Sequence, residues 1–344
     1  MQSINRILLT RMKFIGDVIL TTPIIRAVRE KYPDAYLAYL TDKKIAPLLE
    51  HNPCLDEIIS FDFSRPDVFE QPRVAFLLRQ RKFDVVVDLF SNPRTALLSW
   101  ASGAPMRIGK DVKGRGKLYT HRISDYGAMK QAIEFHYQYL KPLGVEMTHF
   151  KTEIILTNEE KREARIFLKH QDVDTDKQIV TIHVGATWYN KVWLKGNFAD
   201  LIDILRARLG VEILISAGPE DKEIVSYIMN KSSGKVFSLP VLPLRQLAAI
   251  LSQCHVFVAN DCGPMHIGVA VGTPTIGIFG PEPPEVWFNY PEADGHKALF
   301  KKIECSPCRT TKCFREGEHV MECMKLITVE EVFEEVRKRL QITG

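Results

Sequence analysis

Three short polar segments interrupt apolar stretches of the chain, and each carries side chains able to do chemistry. In Lys13-Phe-Ile-Gly-Asp-Val18, directly after the apolar run Arg6-Ile-Leu-Leu-Thr10, Gly16 lets the chain turn tightly or lets a ligand come close. Asp17 follows where a helix begins. A carboxylate there can take the proton of a bound hydroxyl, and it can equally cap the helix. In Asn260-Asp-Cys-Gly-Pro-Met-His266, Gly263 and Pro264 suit a loop leading into the first turn of a helix, with Asp261 and His266 beside it. The free N–H groups of that turn suit a diphosphate; a plain structural turn capped by Asp261 fits the same residues. In His183-Val-Gly-Ala-Thr-Trp-Tyr-Asn-Lys-Val-Trp193, Gly185 permits close backbone approach, and Lys191 either neutralises a phosphate or stays solvated.

Two clusters lie outside these segments. Arg107, Lys110, Lys113, Arg115, Lys117 and Arg122 are opposed only by Asp111, and Gly109, Gly114 and Gly116 among them read as a mobile basic loop. Such a loop is either solvated or a dock for anions and a membrane surface. Cys305, Cys308, Cys313 and Cys323 have the spacing C-x2-C-x4-C-x9-C. Four thiolates can hold a structural zinc or an iron–sulfur cluster, although reduced thiols or an incidental disulfide are the favoured reading. Cys54 and Cys254 read as packing residues. Asp172-Val-Asp174 has a metal-loop spacing but sits in a polar linker, so no catalytic metal is expected.

Placing these segments at one edge requires alternating strands and helices. The pattern predicts strands over residues 6–10, 35–40, 57–61 and 84–89, and helices over 18–31, 46–50, 68–81, 95–101 and 131–142. It then predicts strands over 179–183, 211–216, 236–239, 255–259 and 275–279, and helices over 198–209, 220–230, 244–252, 264–271 and 328–340. Alternation of this kind implies parallel sheets covered by helices, hence an α/β protein with two Rossmann-like domains. The charged stretch 158–178 separates them, giving domains over 1–160 and 175–327 and a terminal helix over 328–344. Ligands of such folds bind at the carboxyl ends of the strands, so the two domains are expected to face one another across a cleft.

The 344 residues suffice for two cores, and 45% hydrophobic with 26% charged residues excludes disordered, collagen-like and coiled-coil chains. A net charge of +4 is too mild for a nucleic-acid binder. The uncharged stretch 267–281 is broken by Gly268, Gly272, Pro274, Gly277 and Gly280, so it does not read as a membrane span, and no signal peptide is recognisable. The expected location is cytoplasmic. The first loop lacks G-x-G-x-x-G, which disfavours a dehydrogenase.

Taken together, the segments resemble the ADP-heptose:lipopolysaccharide heptosyltransferases. The strand, loop, Gly-Asp-Val and Thr-Pro series matches residues 8–23. The family's His-Pro-Gly-Ala…Lys-Arg-Trp matches 183–193 with Val184 and Val192 as departures, and its Asn-Asp-Thr-Gly-Pro-Met-His matches 260–266 with Cys262 in place of threonine. The Gly-Thr-Pro…Phe-Gly-Pro continuation matches 272–281, and the likeness runs from about residue 5 to residue 330. The resemblance implies a GT-B fold, with parallel sheets and a C-terminal helix crossing back to the first domain. It implies inverting transfer of heptose from ADP-L-glycero-β-D-manno-heptose to the lipopolysaccharide inner core, without a cofactor. Asp17 takes the position of the general base. Lys191, Asp261, Cys262, Gly263 and His266 fall at donor-binding positions, with Glu220, or else Glu223, for the ribose. Lys13, Gly16, Arg107, Lys110 and Arg115 fall on the acceptor side, and His136 is either structural or acceptor-side. The implied acceptor is lipid-linked, so the protein is expected to be a monomer peripheral to the cytoplasmic face of the inner membrane. Alternatives are a GT-B transferase with another nucleotide sugar or acceptor, and a non-catalytic nucleotide-binding relative.

Overall fold

The computed structural model describes residues 4–123 and 131–342. Its contacts divide the chain into two compact units, Met1–Ile155 and Leu156–Gly344. In the first unit, strands β1 (Arg6–Thr10), β2 (Tyr36–Asp42), β3 (Glu57–Phe61), β4 (Val85–Asp88), β5 (Met106–Lys110) and β6 (His121–Ile123) form one sheet in the order β3-β2-β1-β4-β5-β6. All its pairings are parallel, with Thr10 level with Leu40 on one side and with Asp88 on the other. Its helices are α1 (Ile15–Ile19), α2 (Thr22–Lys31), α3 (Asp67–Arg81), α4 (Pro93–Ala101) and α5 (Ala132–Tyr137). Val74 and Leu78 of α3 and Leu98 of α4 bury themselves against Leu8, Leu40 and Val86 of the sheet. Each such side chain removed from water contributes roughly 1.5–3 kcal/mol.

The second unit repeats the plan. Strands β7 (Ile179–His183), β8 (Glu212–Ser216), β9 (Phe237–Ser238), β10 (Val256–Asn260), β11 (Thr275–Phe279) and β12 (Lys297–Phe300) lie parallel in the order β12-β11-β10-β7-β8-β9. The helices are α6 (Asn158–His170), α7 (Lys195–Leu209), α8 (Lys222–Lys231), α9 (Leu244–Leu251), α10 (Gly263–Ala270), α11 (Pro284–Trp287), α12 (Glu322–Lys325) and α13 (Val329–Ile342). Phe198, Leu201 and Ile202 of α7 share a core with Val332, Phe333 and Val336 of the terminal helix α13, which packs on α7, β10 and β11 of this unit. On the other face Ala164 and Leu168 of α6 join Ala249 and Ile250 of α9, and Glu160 pairs with Arg245. No helix among the described residues is long and apolar enough to cross a membrane.

Local chemistry moved some elements from where the pattern put them. The helix predicted over 18–31 is two helices, because Pro23 cannot donate to the Ile19 carbonyl. The Thr22 hydroxyl donates there instead at 2.8 Å, and the Thr21 hydroxyl donates to the Val18 carbonyl at 2.7 Å. The helix predicted over 131–142 changes after Tyr137 into a 3₁₀ segment, Gln138–Leu143, which contains Pro142. The basic stretch is not the mobile loop expected of it. Arg107 and Lys110 are in β5, Arg122 is in β6, and a 3₁₀ turn, Arg115–Leu118, joins the strands. Gly109 serves packing: a Cβ there would stand 2.3 Å from the Tyr119 ring.

Candidate active site

In the first unit the chain leaves β1 at the carboxyl edge of the sheet and turns at once into α1. Asp17 is in the first turn of α1 and does two things. One carboxylate oxygen accepts the Phe14 N–H at 3.2 Å, capping the helix, and the other pairs with the Arg11 guanidinium. Arg11 is itself anchored, donating to the Leu89 carbonyl at 2.8 Å and lying 4.7 Å over the Phe90 ring. The carboxylate is thus fixed by a cation and a backbone donor while 16% of its side-chain surface stays open. Gly16 is buried beneath it, and the Lys13 ammonium lies 3.8 Å over the Phe63 ring.

The same edge holds polar atoms with unmet hydrogen-bonding capacity. Thr10 Oγ1, Arg11 Nε and His136 Nδ1 are buried without a hydrogen-bond partner. Burial, helped by the charge on Arg11, pushes the His136 imidazolium well below its ordinary range, so the ring is neutral. Asp88, at the end of β4, accepts from the Tyr119 hydroxyl at 2.6 Å and the Ser91 N–H at 2.8 Å. Burial raises its pKa, which suits a structural knot beneath the edge. Lys110 ends β5 with its ammonium 5.3 Å over the Phe135 ring, and Arg115 reaches the Ser91 carbonyl at 3.4 Å. Arg107 is near the amino end of β5 and donates to the carbonyls of Ala104 and Leu118 at 2.5 and 2.9 Å. It is not brought to the edge that carries Asp17.

In the second unit three loops meet around Asn260, the last residue of β10. Its side-chain oxygen accepts the Trp193 N–H at 2.9 Å, and its amide donates to the carbonyls of Val184 and Gly185 at 3.1 and 3.2 Å. One buried amide thereby sets the segment carrying Lys191 against the start of α10. Lys191 Nζ is 2.7 Å from Asp261 Oδ2 and 4.3 Å from the centre of the Trp188 ring. Burial raises the pKa of Asp261 while the Lys191 charge lowers it. Glu282 stands in the same relation: burial raises its pKa and Lys191 opposes. The Trp287 indole N–H holds it at 3.0 Å.

Burial also keeps the neighbouring groups uncharged. It pushes the Cys262 thiol up to about 12 and the His266 imidazole down to about 3, and His266 Nδ1 is 2.8 Å from the Tyr290 hydroxyl. His183 is held at about 4 and lies 3.0 Å from Ser216 Oγ. Cys262 is the N-cap of α10 and interacts with the Met265 N–H, while Pro264 has none to give. The Gly263 N–H is what the first turn offers an anion, since His266 is the first residue placed to donate back to the Cys262 carbonyl within the helix. Glu220 and Glu223 are both exposed. The acid that turns inward is Asp221: it accepts the Gly218 N–H at 2.7 Å, and a Cβ on Gly185 would stand 1.8 Å from its carboxylate. Sequence reasoning missed Asp221, Arg11 and Glu282. Only the pairing of an acid with a glycine in a neighbouring loop marks the first, and spacing does not show that.

The family model described as glycosyltransferase family 9 (heptosyltransferase) matches residues 73–319. The chain belongs to glycosyltransferase family 9. It is therefore a glycosyltransferase, and Asp17 lies outside the matched span. The lipopolysaccharide heptosyltransferase 3 of Escherichia coli is 28% identical over 284 residues, covering 78% of this chain and 82% of that relative. The crystal structure of a family 9 glycosyl transferase from Veillonella parvula DSM 2008 superposes with a TM-score of 0.86 at 26% identity, over 98% of this chain and 97% of the other. The E. coli heptosyltransferase WaaC with ADP-2-deoxy-2-fluoro heptose shares the fold, with a TM-score of 0.71 at 19% identity over 97% and 99% of the two chains. The GT-B class expected from the sequence is thereby established.

The four clustered cysteines of this family 9 chain line a cavity of about 20 Å³ with Asn190 and Pro281. Among the described residues no group of three or more His, Cys, Asp or Glu side chains is arranged to hold a metal ion. Two of the sulfurs have other partners: Cys308 Sγ lies 3.2 Å from the Thr310 hydroxyl, and Cys313 Sγ accepts the Met321 N–H at 3.3 Å. All seven cysteines are free. Burial, and then the nearness of Cys305, Cys308 and Cys313, raises the Cys323 thiol to about 11, so the four thiols share one pocket.

Proposed function

We propose that this glycosyltransferase moves a heptose from ADP-L-glycero-β-D-manno-heptose to a hydroxyl of the lipopolysaccharide inner core, with inversion. The observation that carries the reading is Lys191 paired with Asp261 at the start of α10. An ammonium with 14% exposed side-chain surface, close to the start of α10 with its Gly263 N–H, is a site for a leaving diphosphate. The ADP-heptose analogue bound by WaaC, which has the same fold, supports this donor. The name of the E. coli heptosyltransferase 3 supports a lipopolysaccharide acceptor.

Asp17 accepts the proton as the acceptor oxygen attacks the anomeric carbon. The bond from that carbon to the diphosphate breaks on the opposite face, and ADP leaves carrying the electron pair. Lys191 and the Gly263 N–H balance the charge that develops. Arg11 holds Asp17 in place, and Lys13, Gly16, Lys110, Arg115 and neutral His136 line the acceptor side. Glu220 accepts from the ribose hydroxyls, Asp221 being committed to Gly218. A lipid-linked acceptor puts the working protein at the cytoplasmic face of the inner membrane.

A donor panel tests the reading. ADP release is followed with ADP-heptose, ADP-glucose and UDP-glucose, adding core acceptors of increasing length. ADP-heptose with one core acceptor should give the highest kcat/KM. Faster turnover of a different nucleotide sugar would overturn the donor assignment.

A further inference from the structure

Helices α3 and α4 run side by side on one face of the first sheet. Near their amino ends Asp67 pairs with Arg94, and near their carboxyl ends Arg79 lies so close that a Cβ on Gly103 would meet its guanidinium. Both bury an inner stripe, Val74 and Leu78 on α3 and Leu98 on α4. Their outer faces are unusual. Val68, Phe69 and Phe76 of α3 are 70%, 70% and 66% exposed, and Leu97 and Trp100 of α4 are 44% and 55% exposed. Phe69 and Phe76, seven residues apart, share one outward stripe, and Leu97 and Trp100 are three apart on theirs. A lone exposed apolar residue is ordinary; five on two adjoining helices form a patch that needs a partner.

Charge identifies that partner. Residues 64–82 and 93–105 hold six basic residues against two acidic ones. Both acids are engaged: Asp67 with Arg94, and Glu70 buried against Arg73. Arg73 and Arg79 are exposed along the same helix as the aromatics, and Lys82 is exposed directly after it. Aromatic rings that enter the headgroup layer, flanked by cations that meet anionic lipid, are the chemistry of an interfacial helix. The amino ends of both helices adjoin the loop that carries Asp17, because Phe63 packs under both Lys13, at 3.8 Å, and Arg94, at 4.9 Å.

We infer that the outer face of α3 and α4 docks on an anionic bilayer, seating Phe69, Phe76 and Trp100 among the headgroups and bringing the edge with Asp17 to the membrane surface. The use of this docking rests on the proposed lipid-linked acceptor; the docking itself does not.

The test is flotation of the full chain with vesicles of phosphatidylethanolamine and phosphatidylglycerol, beside vesicles of phosphatidylcholine alone. The wild type should float with the anionic vesicles and release with salt. The triple variant Phe69→Ser, Phe76→Ser, Trp100→Ser should partition at least tenfold less, while ADP release on a soluble, delipidated acceptor is unchanged. A single Trp100→Phe variant, which keeps the apolar surface, should still float but lose the lipid-induced blue shift of tryptophan emission. Absence of wild-type flotation would overturn the inference, as would a triple variant that floats equally well. So would a wild-type dimer that the triple variant abolishes without any lipid partition, since the patch would then join two copies. Flotation as expected with no turnover of any heptose donor would refute the proposed function and leave the docking face standing.

Discussion

At the carboxyl edge of the first sheet Asp17 is partly open to solvent and held by Arg11 and a backbone N–H. At the carboxyl edge of the second, Lys191 is sunk against Asp261, its charge also reaches Glu282, and its neighbours Cys262 and His266 are kept neutral by burial. The same architecture therefore yields opposite electrostatic devices. The first presents an anion able to exchange a proton with a bound hydroxyl. The second keeps a poorly hydrated cation whose two carboxylates are themselves biased toward their neutral forms. Attraction to an incoming diphosphate is stronger where water is scarce, so the second edge suits charge stabilisation and the first suits proton transfer.

Breaking the second device should have the largest effect. Lys191→Ala should lower kcat by about 10²–10³-fold, the cost of losing one donor aimed at developing charge. Single-turnover ADP release reads this, and a change below threefold would remove Lys191 from the chemistry. On the first edge Arg11→Ala should lower kcat by roughly tenfold through misplacement of Asp17, with Arg11→Lys recovering part of the loss. Since Arg11 acts on the carboxylate, the pH–rate profile should move as well, and a fall in rate with no such movement would assign Arg11 to packing alone.

Burial also sharpens the contrast through stability. His183 and His266 are held at about 4 and about 3 in the folded chain. Unfolded, each takes up a proton near ~6.5, so between those limits the unfolded state binds more protons and stability rises with pH. This stability is complete above about 6.5 and is lost as pH falls, at up to about 1.4 kcal/mol per pH unit for each ring. Urea unfolding from pH 4 to 7 should give a shallower slope for His266→Gln; equal slopes would contradict the buried-neutral assignment. The smallest effect should come from Cys262→Thr. A hydroxyl is a better donor and acceptor than a thiol at the cap of α10, and donor kcat/KM should rise by about two- to fivefold. A fall would mean that the thiol is fitted to its own pocket.

Much of the fold was legible in the sequence, because buried parallel strands leave short apolar runs and the glycines of the loops that follow them stand out. The segments with Asp17, Lys191 and Asp261 lie at carboxyl edges as the alternation required. What escaped was set by contacts distant in sequence. The edge strands β5 and β6 look like a basic loop until Gly109 is seen against the Tyr119 ring. Glu220 and Asp221 are adjacent and alike in type, and only the approach of Asp221 to Gly185 tells them apart. Arg11 is within six residues of Asp17, yet its role depends on Leu89 and Phe90. The split between α1 and α2 was written in Thr21, Thr22 and Pro23, whose hydroxyls and missing N–H a periodicity count does not weigh.

In the proposed reaction, proton removal belongs to the first unit and donor binding to the second. Calorimetric titration of Asp17→Asn with ADP-heptose, run beside its turnover on a core acceptor, tests this most directly. The expected result is a donor Kd within about twofold of wild type together with a kcat lower by about 10²–10⁴-fold. Wild-type turnover in the variant, or a donor affinity that collapses with the rate, would contradict it.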